Sequence, residues 1–138
     1  MPGLVVDASV AGCRFIGDEA SAYADAALAV VADTGARVPG LWPYEIANML
    51  AVAERRARAT AADVSRALSL LAALPLAIDA PRSVGSLPSL MRVARDHGLT
   101  AYDAPYLELA GRTGSMLATR DRALRGAATQ AGVLLVPG

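Results

Sequence analysis

At 138 residues the chain is long enough for one domain that buries about 68–70% of its unfolded surface, and nothing suggests a second. Apolar residues make up 54% and charged residues 19%, slightly above the usual apolar share of about 45–50%, so apolar surface is left for a second copy or a partner protein. The 13 basic and 13 acidic residues cancel, which argues against a protein that coats nucleic acid through a broad basic face. Every basic residue is arginine, and the absence of lysine removes a P-loop lysine, a Schiff-base lysine and the lysine of phosphate-transferring aspartate enzymes. Cys13, the one cysteine, excludes an intrachain disulfide and a cysteine-based zinc site, and reads as a small buried apolar group. No stretch approaches the roughly 20 apolar residues of a membrane span, and no basic leader precedes Leu4-Val5-Val6-Asp7, so a cytoplasmic protein with no membrane contact is expected.

Short β-like runs alternate with helical ones, the pattern of a parallel sheet covered by helices. Residues 4–7 read as the first strand and 8–16 as a short helix ending at Gly17. An alanine-rich helix is expected over 18–34, with Asp18 and Glu19 in its first turn and Gly35 as its stop. Residues 37–38 form a brief second strand closed by Pro39-Gly40. A helix over 42–57 carries Ile46, Leu50 and Ala53 as a buried stripe, with Glu45 and Asn48 sharing another face. Thr60 and Asp63 have capping-box spacing and open a helix that runs to Leu74, where Pro75 ends it. A strand over 76–78, a helix over 87–96 closed by His97-Gly98, a helix over 102–112, a strand over 116–118, a helix over 121–131 and a last strand over 133–136 complete the series.

Four acids, Asp7, Glu45, Asp103 and Asp121, follow apolar runs or open helix-like stretches, widely separated along the chain. Singly, each has an ordinary explanation: aspartate is a preferred N-cap worth about 0.5–2 kcal/mol, Asp103 completes a Thr100-x-x-Asp103 capping box, and Glu45 reads as a helix-surface acid. Jointly they point to a site, because parallel strands with right-handed crossovers bring such junctions to one edge of the sheet. Carboxylates brought together cannot all stay ionised without a compensating cation, and an all-oxygen site selects a hard ion such as Mg2+ or Mn2+. Ser9, Asn48 and Thr119 stand where they can steady the carboxylates or metal-bound water, or simply make cap and turn hydrogen bonds. Arg120, Arg122 and Arg125 flank the last acid and can hold phosphate groups, or form a solvated helix face. Arg55, Arg56 and Arg58 complement a helix C-terminus, and His97 reads as a helix-end residue. Trp42 and Tyr44 can stack on a base, with packing or a dimer contact as the simpler reading.

Four blocks together carry a family resemblance: Val5-Val6-Asp7-Ala8-Ser9; Pro43-Tyr44-Glu45-Ile46-Ala47-Asn48-Met49-Leu50; Leu99-Thr100-Ala101-Tyr102-Asp103-Ala104-Pro105-Tyr106-Leu107-Glu108-Leu109-Ala110; and Leu117-Ala118-Thr119-Arg120-Asp121-Arg122-Ala123-Leu124. In order and spacing the chain resembles PIN domains over essentially its whole length, most of all the VapC-like toxins of bacterial toxin–antitoxin pairs. That resemblance implies a single α/β domain with a mainly parallel central sheet flanked by helices, an α/β/α sandwich. It also implies a Mg2+- or Mn2+-dependent endoribonuclease whose acidic centre is Asp7, Glu45, Asp103 and Asp121, held inactive by an antitoxin protein. Pro105 departs from the pattern, and since proline fits a helix only in its first turn, Asp103 must lie at the helix start. Alternatives are a noncatalytic interaction domain on the same fold and a PIN nuclease of RNA processing. A nucleotide-binding or phosphoacceptor domain is disfavoured by the missing lysine and the lack of a glycine-rich loop after the first strand. The apolar surplus leads us to expect a homodimer.

Overall fold

The computed structural model describes residues 3–16, 21–80 and 82–137. Four three-residue strands, β1 (Leu4–Val6), β2 (Ala36–Val38), β3 (Leu76–Ile78) and β4 (Met116–Ala118), form an all-parallel sheet in the order β3-β2-β1-β4. Helices α1 (Ala8–Ile16) and α2 (Ala22–Thr34) link β1 to β2, and α3 (Trp42–Arg55) and α4 (Ala61–Ala72) link β2 to β3. A 3-10 turn at Val84–Ser86, then α5 (Leu87–His97) and α6 (Ala104–Thr113), lead to β4, and α7 (Arg122–Gln130) follows it. The chain lays β2 and β3 on one side of β1 and returns to place β4 on the other. The sheet therefore has its switch point between the carboxyl ends of β1 and β4, where open α/β sheets form their ligand crevice.

β1 is buried throughout and β4 over Leu117 and Ala118, the continuous apolar reading expected of strands covered on both faces, whereas β2 exposes its middle residue Arg37 and β3 lies largely open. On α3 the buried stripe runs Trp42, Ile46, Leu50 and Ala53, the expected set with Trp42 added. Gly12 of α1 lies so close to Met49 of α3 that an added Cβ would come within 2.5 Å of the Met49 sulfur. The missing side chain at that crossing lets α1 and α3, which follow β1 and β2, lie side by side.

Several boundaries differ from expectation. The anticipated stop at Gly17 and the acids Asp18 and Glu19 lie outside the described residues, as does the side chain of Cys13. Within them, α2 opens at Ala22, with the Ser21 hydroxyl accepting the Ala24 N–H at 3.2 Å. The Thr60–Asp63 capping box is present in both directions, at 3.0 and 2.9 Å, while α4 ends at Ala72, two residues short of Leu74. The expected last strand reduces to a single parallel bridge between Leu117 and Leu135. Pro137 follows immediately and has no N–H with which to extend a ladder.

Candidate acidic active site

Asp7 directly follows β1, and its N–H donates to the Ala118 carbonyl at 2.9 Å, continuing the β1–β4 ladder past the strand. Its side chain is 5% exposed. A buried carboxylate needs donors, and Asp7 Oδ2 receives two: the Ser9 hydroxyl at 2.8 Å and the Thr119 hydroxyl at 2.7 Å. Thr119, fully buried just past β4, is held in turn from three directions. Its N–H donates to the Tyr23 hydroxyl at 3.2 Å, its carbonyl accepts from Arg125 Nη1 at 2.9 Å, and its Oγ1 accepts the Asp121 N–H at 3.1 Å. The Arg125 guanidinium also sits 5.4 Å from the centre of the Tyr23 ring. Arg125 thus supports the β4 end, whereas Arg120 and Arg122 lie exposed beside it.

Asp121 is the N-cap of α7, its Oδ1 accepting the Leu124 N–H at 2.8 Å, so the capping explanation holds for this acid. Asp103 behaves differently. It occupies the N-cap position of α6 with Pro105 in the first turn, as the proline requires, yet its side chain makes no capping bond. The Thr100 hydroxyl accepts the Asp103 N–H at 3.1 Å, and the half-buried carboxylate is left for other use. Glu45 is also half-buried, in the first turn of α3, and its Oε1 accepts the Tyr106 hydroxyl at 2.5 Å. Asn48 is exposed and lies outside this hydrogen-bonded network.

Two of the four acids are shifted by burial and by their neighbours. Burial pushes the Glu45 carboxyl above its ordinary value; the Tyr106 hydrogen bond opposes this, and the charges of Asp7 and Asp103 push it further up. Burial likewise raises Asp103, with Asp121 and then Asp7 adding to the effect and Thr100 opposing it. Among the described residues, however, no three His, Cys, Asp or Glu side chains converge as a closed metal cage. The committed oxygens of Asp7, Glu45 and Asp121 are turned to protein donors instead of to a common centre. The acids form an open centre, not a closed cage. Carboxylates and hydroxyls, without sulfur or imidazole, suit a hard divalent cation.

Tyr106 was not singled out by its sequence position, because a tyrosine at helical spacing reads as core packing. Its fully buried hydroxyl accepts the Ala8 N–H at 3.3 Å while donating to Glu45. Burial, and next the bond to Glu45, push the phenol far above its usual range, so it keeps its proton and remains a donor. Trp42, 6% exposed, belongs to the core, which removes it as a base-stacking surface; Tyr44 is 79% exposed. His97 ends α5 beside a left-handed Gly98, with Nδ1 3.3 Å from Gln130 Oε1. A further acid at a strand end, Asp79 after β3, is neutralised separately by Arg112 at 2.6 Å, within a cluster where Glu108 also pairs with Arg112 and Arg82. None of the four central acids lines the broad groove of about 660 Å3 formed by Leu41, Tyr44, Ile78, Leu90, Tyr102 and their neighbours.

A parallel sheet of order β3-β2-β1-β4 flanked by helices, with an acidic patch at its switch point, defines a PIN-like α/β domain. The crystal structure of PAE2754 from Pyrobaculum aerophilum matches with a TM-score of 0.67 and 29% identity, covering 91% of this chain and 79% of that one. Ribonuclease VapC3, also from Pyrobaculum aerophilum, is 32% identical over 121 residues, which cover 88% of this chain and 91% of the relative. No family model matches. On the strength of that relative, the chain belongs to the VapC ribonuclease family.

Proposed function

We propose that the protein is a metal-dependent endoribonuclease toxin that hydrolyses RNA phosphodiester bonds and is neutralised by a cognate antitoxin. The observation that carries this reading is that acids from four separate helix starts stand near enough to act on one another: besides burial, Asp7 and Asp103 raise Glu45, and Asp121 and Asp7 raise Asp103, a repulsion that a divalent cation would relieve. The name of the VapC3 relative supports RNA as the substrate. Among the described residues no helix is long and apolar enough to cross a membrane.

Asp7 and Asp103 are assigned as direct ligands, with Glu45 and Asp121 as further ligands or as groups that orient the attacking water. When bound, Mg2+ or Mn2+ supplies a water of lowered pKa and charge stabilisation for the leaving oxygen. The chain's own groups prepare for this. Ser9 and Thr119 hold Asp7 Oδ2 and leave Oδ1 the less committed oxygen; Asp121 keeps Oδ2 beyond its cap; Asp103 makes no cap bond at all. Asn48 and the exposed Arg120 and Arg122 stand beside the acids, the arginines suited to RNA phosphates. Arg125 reaches RNA less readily, being turned to Thr119 and Tyr23.

A cleavage assay on defined RNAs, with and without Mn2+, tests the reading. Wild-type protein should cut only with metal and should gain thermal stability as Mn2+ is added. Asp7→Asn should lower cleavage by at least about 100-fold while leaving the fold intact, in line with the loss of a charged ligand. Cleavage by that variant at the wild-type rate would refute the role of Asp7, and absence of any metal effect would favour the noncatalytic interaction domain.

A further inference from the structure

Tyr106 joins three of the four helices that begin at or beside the acids. It lies on α6 three residues beyond Asp103, it donates to Glu45 in the first turn of α3, and it accepts from Ala8, the first residue of α1 and the neighbour of Asp7. A buried tyrosine must place its hydroxyl somewhere, and a backbone carbonyl would satisfy it. Here the acceptor is a carboxylate in the first turn of a helix, where an unrestrained glutamate turns to water. The direction of the chain is also settled. Because the phenol oxygen accepts from a backbone N–H, its own proton is left for Glu45, and the two bonds polarise each other. With Oε1 held in this way, the orientation of the Glu45 carboxylate is set by Tyr106, and Oε2 is its less committed oxygen.

We propose that Tyr106 is a positioning residue of the acidic centre: its hydroxyl holds Oε1 of Glu45 and so fixes the direction in which that carboxylate would be presented to a divalent cation. This rests on the metal-dependent reading above and adds to it a side chain that touches neither ion nor RNA. Ring packing is a separate matter, because Tyr106→Phe keeps the ring and removes only the hydroxyl.

Calorimetric titration of the full chain with Mn2+ is the direct measurement. Tyr106→Phe should raise the Mn2+ dissociation constant about 10–100-fold, as expected when a partner of a metal ligand is lost, and high Mn2+ should restore RNA cleavage. In a Glu45→Gln background the same substitution should change Mn2+ affinity no further, because its effect passes through Glu45. Wild-type affinity in Tyr106→Phe, or an undiminished effect of Tyr106→Phe beside Glu45→Gln, would overturn the proposal. A crystal structure of the wild-type protein with Mn2+ decides the matter even if the variant does not fold: the Tyr106–Glu45 bond should persist with Glu45 at the ion, and a Glu45 that has left Tyr106 to reach the ion, or that stays away from the ion, would overturn it. Wild-type protein that binds no Mn2+ overturns the metal-dependent reading along with this one, whereas normal wild-type binding with an unaffected Tyr106→Phe sinks the role of Tyr106 alone.

Discussion

Asp103 shows how a single residue in its charged form carries a cost to folding. Its carboxyl is raised by burial and by Asp121 and Asp7, so its charged form is disfavoured in the folded state. A raised acid contributes stability that is full below its unfolded value, near 3.8 for Asp103, and is lost as pH rises through the folded value. The same sign applies to Glu45, starting from its ordinary 4.5. Asp103→Asn should therefore raise the metal-free melting temperature at pH 7, by about 1–2 °C given its partial exposure. That difference should vanish as pH falls below the ordinary carboxylate range; a variant less stable than wild type at pH 7 would contradict the argument. The sequence singles out all four acids by their positions after apolar runs or at helix starts. It does not separate their individual states, because capping and ligation use the same residue types at the same junctions: Asp121 caps α7 and Asp103 caps nothing. Tyr106 was invisible for a different reason, since a hydroxyl's partner 61 residues away leaves no local signature.

At the scale of elements, the punctuation was legible wherever a residue's own backbone constraint decides the outcome. Gly35 ends α2 with φ of 80°, a conformation that costs an L-residue, and a Cβ there would meet the Pro75 carbonyl oxygen at 3.1 Å. That carbonyl accepts the Ala36 N–H and so ties the start of β2 to the approach of β3. Gly35→Ala should destabilise the protein by about 1–3 kcal/mol in urea denaturation and leave Mn2+ affinity unchanged; unchanged stability would show that the turn relaxes freely. Pro105 similarly forced α6 to start near Asp103, and it does. The last strand was misjudged because apolar residues 133–136 have strand-like composition, while pairing depends on what the neighbouring strand has left to offer. Leu117 meets the segment with only its own N–H and carbonyl, donating to Leu134 and accepting from Val136.

For the whole molecule, the apolar surplus leads to a surface. Ile78 and Tyr102 line the groove and are exposed, and α5, which contributes Leu90 to it, also exposes Leu87 and Met91. β3 is the outer strand on this side of the sheet, and apolar residues at a sheet edge favour association. We expect a homodimer at micromolar concentration in sedimentation velocity, and Ile78→Glu should shift it to monomer; a wild-type monomer under those conditions would remove this expectation. The sequence alone determined the alternation of strand and helix, the parallel sheet and the four acids, because hydrophobic period, caps and turn residues act within a few positions. Tertiary structure decided how those acids are used: which oxygen of Asp7 is taken by Ser9 and Thr119, that Trp42 is core, that Arg125 faces inward, and that Tyr106 holds Glu45. Those choices depend on burial and on donors brought from distant segments, and neither exists until the sheet has closed the chain on itself.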